Sequence, residues 1–186
     1  MHPPPRTCRM SRMHRARPDS IRAPLAVALL AVVISVAMPA RALPVGTAAP
    51  EIDLADLEGR RVTLASLRGQ VVVIDFWASW CACCAQQLPF LERLRAEHPA
   101  GLVVIGIAEE ASDASVRGLL ARTGAHFTIV RDARHAVAGR YAPRAMPTTF
   151  IVDRAGVVRF EHEGFRSEDA SRIQAEVEQL LAEPPP

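Results

Sequence analysis

Hydrophobic residues along this 186-residue chain occur in short runs that alternate between strand-like and helix-like spacing. The run from Val71 to Trp77 is apolar and β-branched apart from Asp75, which is typical of a central strand buried on both faces. Gly101 to Ala108 is a second run of this kind. Between them, residues 81–98 place their leucines at helical spacing, with Pro89 inside, where it should kink the helix. The pattern therefore predicts a strand, a helix and a strand in succession.

Shorter patterns on either side predict the remaining elements. Two alternating segments, Ile52–Leu54 and Val62–Leu64, flank the turn signal Glu58-Gly59 and predict a β-hairpin. Further along, the predicted elements are a helix at 112–124, a strand at 127–130, a helix at 136–141, strands at 148–152 and 157–161, and a last helix from 167 that ends before residue 184. Strands alternating with helices indicate an α/β sheet with helices on both faces.

The first 42 residues follow a different pattern. The eighteen residues Ala23–Ala40 carry no charge, lie between two arginines, and lead into Ala40-Arg41-Ala42, which has the small-x-small form of a cleavage site. We predict that residues 1–42 are a secretory signal peptide. An uncleaved N-terminal membrane anchor is the alternative, although eighteen apolar residues are at the short end for spanning a bilayer. Either way the positive flank stays in the cytosol, and residues 43–186 form the exported domain.

The charge of that domain excludes one class of partner. Seven of the 22 basic residues and one of the 20 acidic residues precede Leu43, which leaves 15 basic against 19 acidic residues. All the basic residues are arginine. No positive surplus remains to neutralise phosphates, so we expect no nucleic-acid partner.

Three of the four cysteines lie within four residues, which indicates a reactive site rather than a framework of structural disulfides. Cys81 and Cys84 open the helix that follows a buried strand. Residues three apart are only about 60° apart around a helix axis, so the pair is close enough to bond. The helix N-terminus favours a thiolate at Cys81, and Cys84 shares the apolar face of Leu88. We expect Cys81, the more exposed thiol, to attack and Cys84 to resolve the mixed disulfide.

Two other kinds of site remain as alternatives. Structural zinc needs four ligands, and the exported part offers three thiols with no histidine within a few residues, so we expect no zinc site. Cu(I) needs only two soft thiolates, which leaves a Cu(I)-binding or copper-delivery protein as the alternative function. A thiol peroxidase is a third hypothesis, because Ala78-Ser79-x-Cys81 superficially resembles glutathione peroxidases, without a matching downstream Gln/Trp/Asn set.

Three features within residues 46–183 carry a family resemblance: the run FWASWCACC at 76–84, Pro89 inside the following helix, and the segment Tyr141–Phe150. They resemble the active-site signature, the helix-kinking proline and the cis-proline segment of the thioredoxin superfamily, and particularly of its TlpA/ResA-like periplasmic branch. The resemblance implies a thioredoxin-like α/β fold. Such a fold has a central mixed β-sheet flanked by helices on both faces, an N-terminal β-hairpin, and an αβ insertion before the cis-proline segment.

The resemblance also implies roles for further residues. Pro147 should be cis and face the cysteines, where it would expose backbone for pairing with an extended substrate. Asp75, the one polar residue of its strand, should be a buried acid/base for Cys84. Thioredoxin's partner lysine has no counterpart, because the chain has no lysine. Trp80 and Met146 are predicted to contact substrate, with simple packing as the alternative for Met146.

By the same resemblance the protein reduces or isomerises disulfides of periplasmic proteins, in the periplasm or at the outer face of the inner membrane. It needs no cofactor beyond the redox-active Cys81–Cys84 disulfide, and a membrane electron carrier of DsbD/CcdA type keeps it reduced. Ala82-Cys83 replaces the common Gly-Pro pair, so no reduction potential carries over. Gln87 stands where apocytochrome-reducing members often carry glutamate, so cytochrome c maturation is not specifically predicted.

Overall fold

The computed structural model describes residues 43–110 and 112–185, and the predicted signal peptide or anchor at 1–42 lies outside them. The elements, in chain order, are β1 (Asp53–Ala55), β2 (Arg61–Thr63), a short 3-10 helix (Leu64–Leu67), β3 (Val71–Trp77), α1 (Ala82–Glu97), β4 (Leu102–Ala108), α2 (Asp113–Thr123), β5 (Thr128–Arg131), α3 (Ala136–Tyr141), β6 (Thr148–Val152), β7 (Val158–Glu163) and α4 (Asp169–Ala182). The predicted alternation of strands and helices is confirmed. Within these described ranges, no helix is both long and apolar enough to cross a bilayer.

Five strands form one mixed sheet in the order β5-β4-β3-β6-β7. The strands β3, β4 and β5 run parallel, whereas β6 is antiparallel to β3 and β7 is antiparallel to β6. All seven residues of β3 are buried, which requires cover on both faces of the sheet and confirms the prediction of a doubly buried central strand. The strands β1 and β2 form a separate antiparallel pair, and an isolated bridge from Asp56 to Val130 attaches this pair to the sheet edge.

The helix α1 supplies the face that packs against the sheet beside the cysteines. It continues through Pro89, where the missing N–H removes one backbone hydrogen bond. Its buried residues recur at helical spacing and include one polar side chain: Cys83, Cys84, Gln87, Leu88, Phe90, Leu91 and Leu94. This apolar stripe fixes the orientation of the helix, and with it the direction in which its first turn presents the cysteines.

An aromatic cluster ties α3 to the sheet. The rings of Phe76, Tyr141 and Phe150 lie with centroids 5.2 to 5.9 Å apart, in the tilted and edge-on arrangements that aromatic pairs prefer. The Tyr141 hydroxyl donates to the carbonyl of Pro50 at 2.7 Å, which satisfies the polar end of a buried ring. The cluster therefore fixes the end of α3, from which the chain runs into the segment containing Pro147.

Strand directions bring two distant parts of the chain to one edge of the sheet. The loop that carries Cys81 leaves the C-terminal end of β3. Because β6 runs antiparallel to β3 and pairs Thr148 with Phe76, its N-terminal end lies at that same edge. Pro147 directly precedes Thr148, so the sheet register places it beside the start of the cysteine loop.

Candidate active site

The two cysteines of the pair occupy the N-terminus of α1. Cys81 is the N-cap residue, with extended backbone angles (φ −89°, ψ 111°), and its sulfur accepts the backbone N–H of Cys84 at 3.2 Å. Cys81 and Cys84 are joined in a disulfide, with their Cα atoms 5.3 Å apart. No acidic side chain lies in the first turn of the helix. A thiolate released at Cys81 would therefore meet an N–H donor and the positive end of the helix dipole, and both stabilise negative charge.

The exposures of the two sulfur-bearing residues rank as the sequence predicts, but the contrast is small. Cys81 is 7% exposed and Cys84 is fully buried. Cys81 is therefore the more exposed of the two but is itself nearly buried in the disulfide form. The adjacent Trp80 is 63% exposed and is one of the two large hydrophobic residues described as exposed. An apolar ring next to a nearly buried sulfur gives the site a surface that a partner can contact.

The segment around Pro147 has the predicted conformation. The Met146–Pro147 peptide bond is cis, and both residues are buried. Hydrogen bonds hold the segment on either side: Gly164 N–H donates to the Pro147 carbonyl at 2.7 Å, and the Thr148 hydroxyl donates to the Ala145 carbonyl at 2.8 Å. Met146 is 7% exposed, so most of its side chain is packed against its neighbours.

Asp75 lies in the middle of β3 and is completely buried. Burial raises the pKa of this carboxyl to about 8, and a hydrogen bond from the Thr149 hydroxyl offsets part of that rise. The hydroxyl donates to Asp75 Oδ1 at 2.8 Å, because the two residues are direct cross-strand partners. At neutral pH such a group can both take up and release a proton.

Sequence reasoning missed two residues that contact this carboxyl directly or through one neighbour. Thr149 is one of them, and Gln87 of α1 is the other, since its Nε2 donates to the Thr149 hydroxyl at 2.7 Å. Both are fully buried. Gln87 stood out in the sequence only because apocytochrome-reducing members of the family often carry glutamate at this position. The available signal was a polar residue on an otherwise apolar helix face, which in a buried setting implies a hydrogen-bond partner.

Two acidic residues at the same edge of the sheet also escaped sequence reasoning. Glu110 Oε1 accepts the backbone N–H of Ser79 at 2.6 Å, which fixes the loop two residues before the pair. Glu109 is almost buried and contacts the His135 ring. Burial raises the pKa of Glu109 to about 6, against the opposing effect of that histidine. Their position at the end of one buried strand, β4, was visible in the sequence, but which groups they would meet was not.

Metal chemistry finds no support in the part of the chain that the structure describes. Among residues 43–110 and 112–185, no group of three or more His, Cys, Asp or Glu side chains is arranged to hold a metal ion. The copper alternative therefore gains no observation in its favour.

A disulfide at the start of a helix and a cis-proline at the same edge of a mixed sheet are the features of thioredoxin-like thiol–disulfide oxidoreductases. The chain belongs to the AhpC/TSA family, whose model matches residues 45–161. It is 33% identical to the thiol–disulfide oxidoreductase ResA of Geobacillus thermodenitrificans over 119 residues, covering 63% of this chain and 68% of the relative. It is 32% identical to the thioredoxin-like protein YneN of Bacillus subtilis over 122 residues, covering 64% and 71%.

Solved structures give the same result. A crystal structure from Chlorobium tepidum, described as a candidate thiol:disulfide interchange protein DsbE, superposes with a TM-score of 0.73 at 33% identity. The match covers 76% of this chain and all of that one. The predicted family and the thioredoxin-like α/β fold are thus confirmed.

Proposed function

We propose that this protein reduces or isomerises disulfides of exported proteins by thiol–disulfide exchange at Cys81 and Cys84. The observation that carries the proposal is the position of Cys81 as the N-cap of α1, with the Cys84 N–H directed at its sulfur. This geometry favours the thiolate, which is the nucleophilic form of a cysteine. It also places Cys84 one turn further along α1, within bonding distance of Cys81.

The reaction has two exchange steps. The Cys81 thiolate attacks one sulfur of the substrate disulfide, forms a mixed disulfide and releases the first substrate thiolate. The Cys84 thiol then loses its proton and attacks the Cys81 sulfur, which re-forms the Cys81–Cys84 bond and releases the second substrate thiolate. The substrate gains two electrons and the cysteine pair loses two.

We assign supporting roles to four further residues. Asp75 accepts the proton of Cys84 in the second step, because it is a buried carboxyl that titrates near neutral pH. Pro147 and Met146 border the cysteine loop on the facing strand end and position the backbone of the substrate. The exposed ring of Trp80 contacts apolar residues of the substrate.

The proposal includes export and a source of electrons. The uncharged run at 23–40 and the cleavage pattern at 40–42 support transport across the membrane, with the signal cut or kept as an anchor. Each turnover leaves the pair oxidised, so a reductant must restore the thiols. A membrane electron carrier of DsbD/CcdA type fits this need, and the relatives named ResA, which are thiol–disulfide oxidoreductases, support the family assignment on which it rests.

An insulin-reduction assay with dithiothreitol tests the activity. The wild-type protein should accelerate precipitation of the insulin B chain, and Cys81→Ala should reduce the rate to that of dithiothreitol alone. Equal activity in the variant would remove the proposal. Peroxide turnover by a protein that keeps Cys81 alone would be needed to support the peroxidase alternative.

The redox equilibrium of the pair against glutathione decides the direction of the reaction. If the Cys81–Cys84 pair is a reductant, it should remain mostly a disulfide in a glutathione buffer. In the same buffer, a strongly oxidising pair would be mostly reduced to thiols. A pair that glutathione reduces readily would point to an oxidase and would contradict reduction as the direction.

A further inference from the structure

Three buried side chains form a hydrogen-bonded line from α1 through β6 to β3. Gln87 Nε2 lies 2.7 Å from the Thr149 hydroxyl oxygen, which in turn lies 2.8 Å from Asp75 Oδ1. All three residues are completely inaccessible to solvent. We call this set, Gln87, Thr149 and Asp75, the buried relay.

The chemistry of the donors fixes the direction of these bonds. An amide nitrogen can only donate, and a hydroxyl has a single proton to give. With Gln87 donating to Thr149, the Thr149 proton therefore points to Asp75, which suits an ionised carboxylate. Asp75 Oδ2 and Gln87 Oε1 are then both buried without a hydrogen-bond partner among the described residues. Each unpaired buried polar atom costs free energy, so this arrangement carries two such costs.

Protonation of Asp75 on Oδ1, the oxygen that faces Thr149, reverses every bond in the line. If the proton sits on Oδ1, Asp75 donates to the Thr149 oxygen, and the Thr149 proton must turn toward Gln87. The Gln87 carboxamide then has to rotate by half a turn to offer its oxygen. The relay thus has two self-consistent directions, one for each protonation state of Asp75.

The other two residues of the buried relay are the main polar environment of Asp75. The strands β4 and β6, which flank β3, contain no titratable residue. The buried residues of α4, which also packs on β3, are Ile173, Val177 and Leu180. Cys84, at the start of α1, is fully buried and carries a proton once the disulfide is reduced. We therefore take Cys84 as the proton partner of Asp75.

We propose that Thr149 and Gln87 are positioning residues that hold the Asp75 carboxyl and set how easily it takes up the proton released by Cys84. This inference rests on the proposed function, in which Cys84 attacks the mixed disulfide at Cys81. The proton moves from the Cys84 sulfur to Asp75, the Thr149 hydroxyl reverses, and the Gln87 carboxamide turns. When the substrate thiolate leaves, the proton on Asp75 passes to it, directly or through water, and the line returns to its first direction.

A nuclear magnetic resonance titration of the full chain in the disulfide form tests the relay directly. The Asp75 carboxyl carbon and the Gln87 side-chain amide should titrate with one shared midpoint. Thr149→Val has nearly the same shape but no hydroxyl, and it should abolish the change at Gln87. It should also raise the Asp75 midpoint by about one pH unit, because the ionised carboxylate loses a hydrogen-bond donor. The matched control Thr149→Ser, which keeps the hydroxyl, should retain the shared midpoint.

The rate of the resolving step gives a second readout. In Thr149→Val the midpoint of its pH profile should move to higher pH, whereas in Thr149→Ser the midpoint should stay near the wild-type value. A Gln87 amide that does not respond at the Asp75 midpoint, or an Asp75 midpoint unchanged in Thr149→Val, would overturn the relay. Either result could occur while Cys81-dependent insulin reduction is intact, so failure of the relay is distinguishable from failure of the proposed function.

Discussion

At the scale of single residues, burial decides what Asp75 can do. An aspartate on the surface is ionised at pH 7 and cannot easily donate a proton, whereas burial raises the pKa of this one to about 8. The carboxyl also sits on the same strand that leads into the cysteine loop. Its position was visible in the sequence as the one polar residue of an apolar run. Its state depends on the cover that α1 and the flanking strands supply.

Asp75→Asn should slow the resolving step without unfolding the protein. The amide keeps the shape of the side chain but cannot accept the Cys84 proton, and general base catalysis typically contributes about a hundredfold or more. The rate of mixed-disulfide resolution, measured by quenched flow from pH 6 to 9, checks this. Asp53→Asn, on the half-exposed hairpin, is the matched control and should be unaffected. An unchanged rate in Asp75→Asn across this range would show that the carboxylate is not the base.

Trp80→Ala should weaken substrate binding at almost no cost in stability. The ring is 63% exposed, so its removal leaves little cavity, but it takes away apolar area beside Cys81. We expect KM for a protein substrate to rise severalfold with kcat nearly constant. Val45, at 55% exposure, is the other exposed large hydrophobic residue, and Val45→Ala serves as the control. If both variants matched the wild type, the assigned role of Trp80 would be wrong.

Residue-level prediction from the sequence succeeds where a contact is local and fails where it is not. The pairing of Cys81 with Cys84 follows from three positions of separation on a helix. The contacts of Thr149 with Gln87 and Asp75 span 62 and 74 residues, so they depend on the register of β6 against β3. A register shift of one residue would turn Thr149 to the other face of the sheet. No local pattern could have revealed these contacts.

At the scale of elements, the close packing of β4 rests on Gly106, which lies opposite Asp75 in the parallel pair. A Cβ at this position would lie 2.6 Å from Ile129 Cδ1 and 2.7 Å from Trp77 Nε1. The end of an isoleucine side chain can move aside, but the buried indole has little freedom. The glycine therefore allows Trp77 to approach β4 closely, directly before the cysteine loop.

Gly106→Ala should destabilise the protein by about 1–3 kcal/mol, which is the usual range for overpacking in a core. Urea unfolding monitored by circular dichroism measures the effect. Gly139→Ala in α3 is the matched control, because nothing lies within 4 Å of its added methyl group. Replacing a helical glycine should stabilise the protein by about 0.5–1 kcal/mol. Equal unfolding midpoints for the two variants would contradict the packing argument.

Element boundaries show where periodicity stops being informative. The strand β3 was predicted to the residue, since buried runs have sharp ends. The last strand was predicted at 157–161 but spans Val158–Glu163, and its pairing with β6 shifts register between Ile151 and Val152. The polar residues at the end of β7 remain in the strand because they pair with β6. The sequence of β7 alone does not reveal that pairing. Likewise, Asp132 accepts the N–H groups that open α3, a cap that only the folded loop brings into place.

At the scale of the whole molecule, the buried carboxyl should make stability depend on pH. In the unfolded chain Asp75 titrates near its ordinary value of 3.8, and in the folded chain near 8. Between these values the folded state binds one more proton, so stability falls as the pH rises, by at most about 1.4 kcal/mol per unit. Above about pH 8 the contribution of Asp75 no longer changes.

Asp75→Asn should remove this fall, because the amide does not ionise. Urea midpoints of the disulfide form at intervals from pH 5 to 9 check the prediction. As the pH rises, the urea midpoint of the wild type should fall relative to that of the variant. The difference between the two midpoints should stop changing near pH 8. Glu109 titrates in part of the same interval, and comparison with the variant cancels its contribution. Parallel curves for the two proteins would show that Asp75 does not carry the buried proton.

The division of labour between the two cysteines is the centre of this account, and trapping of the mixed disulfide tests it most directly. Cys81→Ala and Cys84→Ala are each prepared with Cys8 and Cys83 also replaced by alanine, so that one thiol remains in each protein. Both are then mixed with a disulfide-bearing protein substrate and analysed by mass spectrometry. The protein that keeps Cys81 should accumulate a covalent adduct with the substrate, whereas the protein that keeps Cys84 should form little or none. An adduct that forms at least as fast through Cys84 would contradict the assignment of Cys81 as the attacking thiol.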